Sequence, residues 1–387
     1  MTIASAVPRV EAAAAIGTAA MVGLATGFTT PLVSLRLDSM GTGSSLVGLV
    51  AAMPAVGFLV SAPLTQVLAR RVRARRLLLG GTVGSAVSIL CLALTSDLAA
   101  WVVLRLCMGV ATGILVIIGE TWINALAPDS ARGRLVAVYT TVFTLCQTAG
   151  PSLLAALGHE GAAPIVIAAA VQLTAVIPLL LASCVISGLD VEDRMSLLGF
   201  MRAAPVIVVA VLAFAFFDSA VLTFLPLYGL DHGMTVATAS IMVTIVFLGD
   251  TLFQIPLGWL ADRFDRPALH RYCGLGMLAA ALLLPFLMGA PILLWPALLV
   301  LGAAAGGIYT LGLVRMGDRF KGARLATANA AAGLVWGLGG VAGPLAGGGV
   351  IDLMGSEGLV AVLILLSFAF LTATRASIRD GVSGGRS

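Results

Sequence analysis

The stretch GWLADRFDR, Gly258 to Arg266, lies between two long apolar runs, and its reading decides the fold. It gathers Gly258, Asp262, Arg263, Asp265 and Arg266 into a loop far too short to be a domain. About half a chain earlier a second short charged loop, ARRVRARR (Ala69 to Arg76), also separates two apolar runs. A charged hairpin repeated at half-chain spacing points to a two-fold bundle of helices whose halves rock against each other.

Composition places that bundle in a membrane. The chain is 60% hydrophobic and 10% charged, with a mean hydropathy of +1.08, whereas a soluble domain carries about a quarter charged residues. Crossing the hydrocarbon takes about 20 apolar residues as a helix. Twelve such runs stand out: 13–35, 45–67, 77–96, 99–124, 135–158, 163–187, 205–229, 236–257, 271–290, 292–314, 325–351 and 358–375. Their length excludes a β-barrel, whose strands are about 10 residues long and alternate in polarity. All but Arg36 and Arg105 of the 22 Lys and Arg fall on one side of this weave. The positive-inside rule then sets both termini in the cytoplasm. The net charge of +4 reflects that topology and implies no nucleic-acid partner. The first run is too long for a cleavable signal and lacks a clear small-residue cleavage site.

The five cysteines (Cys91, Cys107, Cys146, Cys184 and Cys273) are scattered through apolar runs with no CxxC, and read as small core residues. The three histidines (His159, His232 and His270) read as loop residues too far apart for a metal site. No metal or cofactor is expected, and no catalytic cluster of His, Cys or carboxylates marks an enzyme.

Landmarks recur at nearly constant offset. Gly109 and Gly113 match Gly302 and Gly306 at 193 residues, and Gly150-Pro151 matches Gly343-Pro344 at the same offset. Arg70-Arg71 aligns with Asp262-Arg263 at 192, Pro31-Leu32 with Pro226-Leu227 at 195, and Arg134-Leu135 with Arg324-Leu325 at 190. The chain therefore reads as an all-α membrane protein of two pseudo-symmetric six-helix bundles, residues 1–187 and 205–387, joined by a short cytoplasmic segment, 188–204. Six is even, so both copies run the same way through the bilayer. Small residues at four-residue spacing (Gly80/Gly84, Gly109/Gly113, Gly302/Gly306, Gly339/Gly343) read chiefly as static close packing, since lipid supplies no hydrophobic drive between helices. The Gly-Pro pairs also suggest bends.

These residues resemble the major facilitator superfamily over nearly the whole chain. Gly258, Asp262, Arg263 and Arg266 resemble that family's charged loop, of pattern GxxxDRxxR, between helices 8 and 9. The first-half copy departs from it, with Gln66 and Arg70 where the pattern has Gly and Asp. Arg105-xxx-Gly109 resembles the helix-4 arginine motif. Gly339-xxx-Gly343-Pro344-xx-Gly347-Gly348 has the form of the antiporter motif, displaced from helix 5 to helix 11. The run Gly119 to Tyr139 (GETWINALAPDSARGRLVAVY), with FLPLY and QIPLGWLADRF, is similar to the narrower YcaD-like branch of bacterial inner-membrane transporters. The resemblance implies a transporter that works by alternating access, with helices 1, 4, 7 and 10 around the cavity. It also implies that the charged loop acts as a latch, holding the cytoplasmic side shut in the outward-facing state.

A charge near the bilayer centre costs about 2.5–3.5 kcal/mol on insertion scales, so each one calls for a reason. Asp218 stands midway along the seventh run and leads as a proton-coupling group, since a carboxyl dry in one state and wet in another changes protonation over a cycle. The alternative is a structural Asp satisfied by the Ser219 or Thr223 hydroxyl. Asp250, in the eighth run, is a second coupling candidate, or else a packing pair with Gln254 one turn on. Arg105 reads as an anchor for an anionic group or a carboxylate, or as an arginine bonded to backbone carbonyls of the first run. Glu120 reads as an ion pair with Arg132 or Arg134, locking the fourth run to its loop.

Polar lining candidates are few: Thr26, Thr29 and Thr30, Asn124, Gln147, and Tyr309 with Thr310. Such a lining suits an apolar or amphipathic cargo better than a sugar. Asp262, at a helix end, is expected to accept backbone N–H groups or pair with an Arg. The five arginines of the first loop (Arg70, Arg71, Arg73, Arg75 and Arg76) bind anionic head groups or serve as plain topology signals. The expectation is a monomeric, proton-coupled exporter of a small molecule, with membrane lipids as its other partners. An uncoupled facilitator, an importer or a lipid transporter of the same fold is the alternative. With no GxxxxGK[ST] loop, an ATP-driven pump is not expected.

Overall fold

The computed structural model describes residues 9–126, 132–182, 197–321 and 323–383. Among them are α1 (Arg9–Ser39), α2 (Ser44–Ala69), α3 (Ala74–Cys91) with a 3₁₀ turn at Leu92–Leu94, α4 (Leu98–Leu126), α5 (Arg132–Leu157), α6 (Ala163–Thr174) and α7 (Val176–Leu181). The second half holds α8 (Leu197–Ala203), α9 (Pro205–Asp231), α10 (Val236–Ala261), α11 (Arg266–Leu287), α12 (Pro291–Arg319), α13 (Ala323–Met354) and α14 (Gly358–Ser383). The described residues contain helices and turns and no strand.

Eleven of the described segments are long and apolar enough to cross a membrane, α6 and α7 counting together. The twelfth, α5, has 26 residues but is diluted by Thr140, Thr141, Thr144, Gln147 and Thr148. The break between α6 and α7 has a local cause. Pro178 has no N–H to give the Thr174 carbonyl four residues back, and the chain turns at Ala175, whose N–H bonds Gln172 instead. Of the expected linker, residues 197–203 are helical; Asp190, Glu192, Asp193 and Arg194 lie outside the described residues, as does Cys184.

The chain divides into two compact units. One comprises the described residues of Met1–Arg36 and Met53–Asp190, the other those of Leu37–Ala52 and Val191–Ser387. Helix α2 is thus shared, its first turns clustering with the second unit. Within that unit, the Asp352 carboxylate accepts the Ser44 and Ser45 N–H groups at 2.8 and 2.9 Å, and Gly348 lies against the Ser44 carbonyl.

The repeated glycines perform the same task in each unit. A Cβ at Gly109 or Gly113 of α4 would overlap Pro54 and Ser61 of α2; one at Gly302 or Gly306 of α12 would overlap Val246 and Asp250 of α10. Gly150 of α5 lies on Gly27 and Phe28 of α1, as Gly343 of α13 lies on Phe216 and Ser219 of α9. With lipid as the solvent, such backbone contact is what holds helices together. Gly80 and Gly84 depart from the expectation, because Gly80 faces open space and Gly84 makes only ordinary contact with Ala111. Turn chemistry repeats as well. Gly41 and Gly233, 192 apart, and Gly161 and Gly355, 194 apart, all adopt left-handed φ of 68–78°, which costs other residues strain.

Candidate functional site

Helix α9 runs through the middle of the second unit, packed on α10, α12, α13 and α14. Asp218 sits half-buried on it. The neighbouring hydroxyls do not satisfy it: Ser219 Oγ donates to the Ala215 carbonyl at 2.8 Å, and Thr223 Oγ1 to the Ser219 carbonyl at 2.6 Å. A helical Ser or Thr turns its proton back to the preceding turn, as here. Asp250 of α10, a helix packed on α9, is 5% exposed. Gln254 Nε2 donates to Asp250 Oδ1 at 3.2 Å, so the Gln254 pairing is present. The same carboxylate fills the space left by Gly306 of α12. Among the described residues, no Lys, Arg or His forms an ion pair with either Asp.

One turn beyond Gly306, Tyr309 joins an aromatic wall that local sequence did not reveal. Its ring stacks on Phe214 of α9 (centroids 5.1 Å apart, 20° between planes) and meets Trp336 of α13 edge-on at 5.1 Å. Phe214 and Trp336 are 5.4 Å apart, and Phe217 extends the row at 6.3 Å. Thr310 is half-buried beside Tyr309.

In the first unit Arg105 of α4 is 1% exposed. Its Nη1 reaches only Met108 Sδ, at 3.5 Å, and its Nε has no partner. The expected bond from Arg105 to α1 carbonyls is not among its contacts. Thr26 and Thr30 share a face of α1 and are half-buried, while Thr29 is buried; Thr26 and Thr29 donate to the Val22 and Ala25 carbonyls. Glu120 is solvent-exposed, near Tyr139, and makes no ion pair among the described residues. Arg134 is exposed, so the expected Glu120–Arg134 lock is not formed, and the Arg132 side chain lies outside the described set. A small cavity of about 10 Å³ lies between Thr18, Gly119, Trp122, Tyr139 and Phe143.

The charged loop follows the second of the two arrangements expected for Asp262, the pairing with an Arg. Asp265, not Asp262, caps a helix, accepting the Ala268 N–H at 2.9 Å at the start of α11. Asp262 ends α10 and pairs with Arg266 at 3.4 Å. Arg266 also bonds Asp318 of α12, a partner 52 residues away that the loop pattern does not contain, and gives Nε to the Ala261 carbonyl at 2.9 Å. Arg263 lies 3.7 Å over the Trp259 ring. Gly258 meets nothing that a Cβ would disturb. In the first loop, Arg75 donates to the Leu179 and Leu180 carbonyls at 3.1 and 2.8 Å, so it caps α7 and is not free for lipid. His270 is also no loop residue. It is buried in α11, bonded through Nε2 to the Ile308 carbonyl at 2.9 Å, with Arg315 Nη1 3.4 Å from Nδ1. Among the described residues no group of His, Cys, Asp and Glu has the arrangement of a metal site.

Set against known proteins, residues 15–229 and 207–381 each match the family model described as Major Facilitator Superfamily. The chain is 24% identical over 365 residues to the uncharacterized MFS-type transporter YfkF of Bacillus subtilis, covering 92% of this chain and 90% of that one. It is 23% identical over 350 residues to the uncharacterized MFS-type transporter YcaD of Shigella flexneri, covering 90% and 91%. Among solved structures it is similar to the nucleoside transporter NupG (TM-score 0.73, 15% identity, 96% of this chain and 98% of that one). It is also similar to a D-xylose-proton symporter (TM-score 0.72, 18% identity, 92% and 96%).

Proposed function

The chain belongs to the Major Facilitator Superfamily and is a multi-pass membrane transporter, not an enzyme; from that premise we propose that it exports a small apolar or amphipathic molecule across the bacterial cytoplasmic membrane by proton-coupled alternating access. It works as a monomer with both termini in the cytoplasm. One observation carries the coupling. Asp218 on α9 and Asp250 on α10 lie on packed helices of the second unit, neither forms an ion pair with a basic side chain among the described residues, and a charge left so inside a membrane calls for a cation. A proton is the simplest such cation. Asp218 is the more open of the two and is the group through which the proton exchanges; Asp250, buried and tied to Gln254, is the reserve.

The neighbouring structures are titled for a nucleoside and for D-xylose. A sugar needs many free hydrogen-bond partners, and here the hydroxyls of Thr26, Thr29, Ser219, Thr223 and Thr251 already give their protons to backbone carbonyls. That favours a less polar cargo. Arg105 anchors an acidic group of cargo or protein in one state of the cycle, and the Asp262–Arg266–Asp318 group acts as the latch. The reading is tested by proton flux in proteoliposomes with and without an imposed pH gradient. Gradient-driven transport lost in Asp218→Asn supports it. Undiminished flux removes Asp218 from the coupling, and gradient-independent flux in the unaltered chain makes the protein a facilitator.

A further inference from the structure

Helix α4 buries two tryptophans, and the protein satisfies the N–H of one of them. Trp101 is 2% exposed and gives Nε1 to the Thr95 carbonyl at 2.8 Å. Trp122 is 1% exposed, and its Nε1 has no acceptor among the described residues. Leaving a buried donor unmet costs about 1–3 kcal/mol, and such groups are met by protein or by ordered water.

Trp122 lines the small cavity of the first unit, with Thr18 of α1, Leu78 of α3, Gly119 of α4, and Tyr139 and Phe143 of α5. At about 10 Å³ that cavity is just large enough for one water molecule. Gly119 keeps the room open. A Cβ there would stand 2.8 Å from Tyr139 Oη, so the phenol oxygen lies against the bare Cα at the cavity wall. Thr18 Oγ1 gives its own proton to the Ala14 carbonyl at 2.8 Å and keeps its lone pairs for another donor. The wall thus carries an indole N–H that only donates, a phenol that does either, and a hydroxyl left to accept. Gly119, Trp122 and Tyr139 all belong to the run Gly119 to Tyr139.

This set selects its occupant. The volume excludes a cargo molecule. An anion would meet the Glu120 carboxylate, next in the chain to Gly119. A metal cation would find no carboxylate, thiolate or imidazole in the lining. An apolar occupant would leave the indole N–H unmet. Water both donates and accepts, and it fits.

We propose that one water molecule binds in this cavity, accepting from Trp122 Nε1 and donating to Thr18 Oγ1, with Tyr139 Oη as its third partner. It bridges α4 to α1 and α5, and Gly119 makes the room for it. The site is independent of what the protein transports.

The test uses the full-length protein in detergent, isotope-labelled at the tryptophan indole nitrogens and read by NMR. The Trp122 signal is identified by its loss in Trp122→Phe. In the unaltered protein the Trp122 N–H is expected to receive magnetisation from a long-lived water, and the protein-bonded N–H of Trp101 to receive none. Gly119→Ala fills the cavity and is expected to abolish the transfer while the Trp122 signal persists. Tyr139→Phe and Thr18→Val each remove one partner and are each expected to weaken the transfer about fivefold, the worth of one hydrogen bond; they serve alone should Gly119→Ala fail to fold. No transfer at Trp122 in the unaltered protein, or transfer untouched by every one of these variants that folds, overturns the proposal. Melting gives a second readout. Two groups that share one water lose it together, so Trp122→Phe with Tyr139→Phe should melt no more than about 1 °C below the lower single variant. Additive losses mean that no common water joins the two, and overturn the bridge.

Discussion

Replacing Gly306 with alanine tests whether Asp250 is held where the structure puts it. A Cβ on Gly306 would stand 2.6 Å from Asp250 Cγ and 3.0 Å from its Cβ, against about 3.5–4.0 Å for an ordinary carbon contact. The nearest atom of all is Asp250 Oδ1, so the carboxylate must move by more than about 1 Å, and overpacking of that kind costs about 1–3 kcal/mol. Alanine also gains about 1 kcal/mol over glycine as a helix former, which masks part of the loss. A double-mutant cycle removes that ambiguity, because the propensity gain is the same in both backgrounds. With Asp250→Ala in place the Cγ contact is gone and only the 3.0 Å neighbour remains. Gly306→Ala should then be about 1–2 kcal/mol less costly than in the parent. Read as thermal unfolding in detergent, that is about 2–8 °C for a co-operative unit of some 200 residues. Gly302→Ala is the control, since its Cβ meets the Val246 backbone, with the carbonyl carbon at 2.6 Å. Its cost should be identical with and without Asp250. An equal cost for Gly306→Ala in the two backgrounds would refute the placement of the carboxylate.

The remaining predictions concern the other charges. Arg105→Met should leave melting unchanged or raise it, because an apolar chain has no charge to desolvate where Arg105 has no ion-pair partner among the described residues, and it should abolish transport; a lower melting temperature would show that Arg105 is paired. Arg266→Ala breaks bonds to Asp262 and Asp318, both more than half exposed, and exposed pairs are worth about 0–1 kcal/mol. Its effect should therefore appear in transport rate and not in melting, and a large thermal loss would contradict that. Asp352→Ala removes the acceptor of the Ser44 and Ser45 amides, so hydrogen exchange at those two positions should accelerate while Val50 and Ala52 stay protected. Unchanged exchange at Ser44 and Ser45 would mean that Asp352 does not hold the start of α2.

The spans were legible because the bilayer demands about 20 apolar residues and tolerates little else. The repeat was legible because close helix contact demands glycine, and Gly109 and Gly302 answer the same demand. Other features were written locally yet read otherwise. The sequence Asp265-Arg266-Pro267 carries an N-cap followed by a proline in the first turn, which is how α11 begins, while the expectation weighed capping only for Asp262, with pairing to an Arg as its alternative. Helical Ser and Thr bond the preceding turn, which removes Ser219 and Thr223 as partners of Asp218. What stayed hidden depends on the distance between helices. Asp318 meets Arg266 only because α12 passes α11, and Phe214, Tyr309 and Trp336 come from three helices with no shared local pattern. His270 looked like a loop residue because it follows the charged loop closely; its burial against Ile308 follows from the packing of α11 on α12.

The two halves repeat in what holds them together and differ in their charged and aromatic positions. At the 193-residue offset Gly302 and Gly306 answer to Gly109 and Gly113, and Gly343 to Gly150. The charged and aromatic positions do not survive the same shift. Asp218 answers to Ala25, Tyr309 to Val116, and Arg105 to Leu298, which is fully buried. Asp250 answers to Gly57, which lies directly on the α4 backbone at Leu106 and Gly109. In the first unit that position closes the gap between two helices; in the second the same gap holds a carboxylate against Gly306. Even the loops follow the rule, with Arg70 where the second half has Asp262. Close packing constrains both copies alike, because neither unit can hold together in lipid without it. A single buried acidic pair needs only one copy, and a second would add another uncompensated charge to the membrane. The placement of charge, Asp218 and Asp250 in the second unit and Arg105 in the first, is what this physics leaves free to diverge.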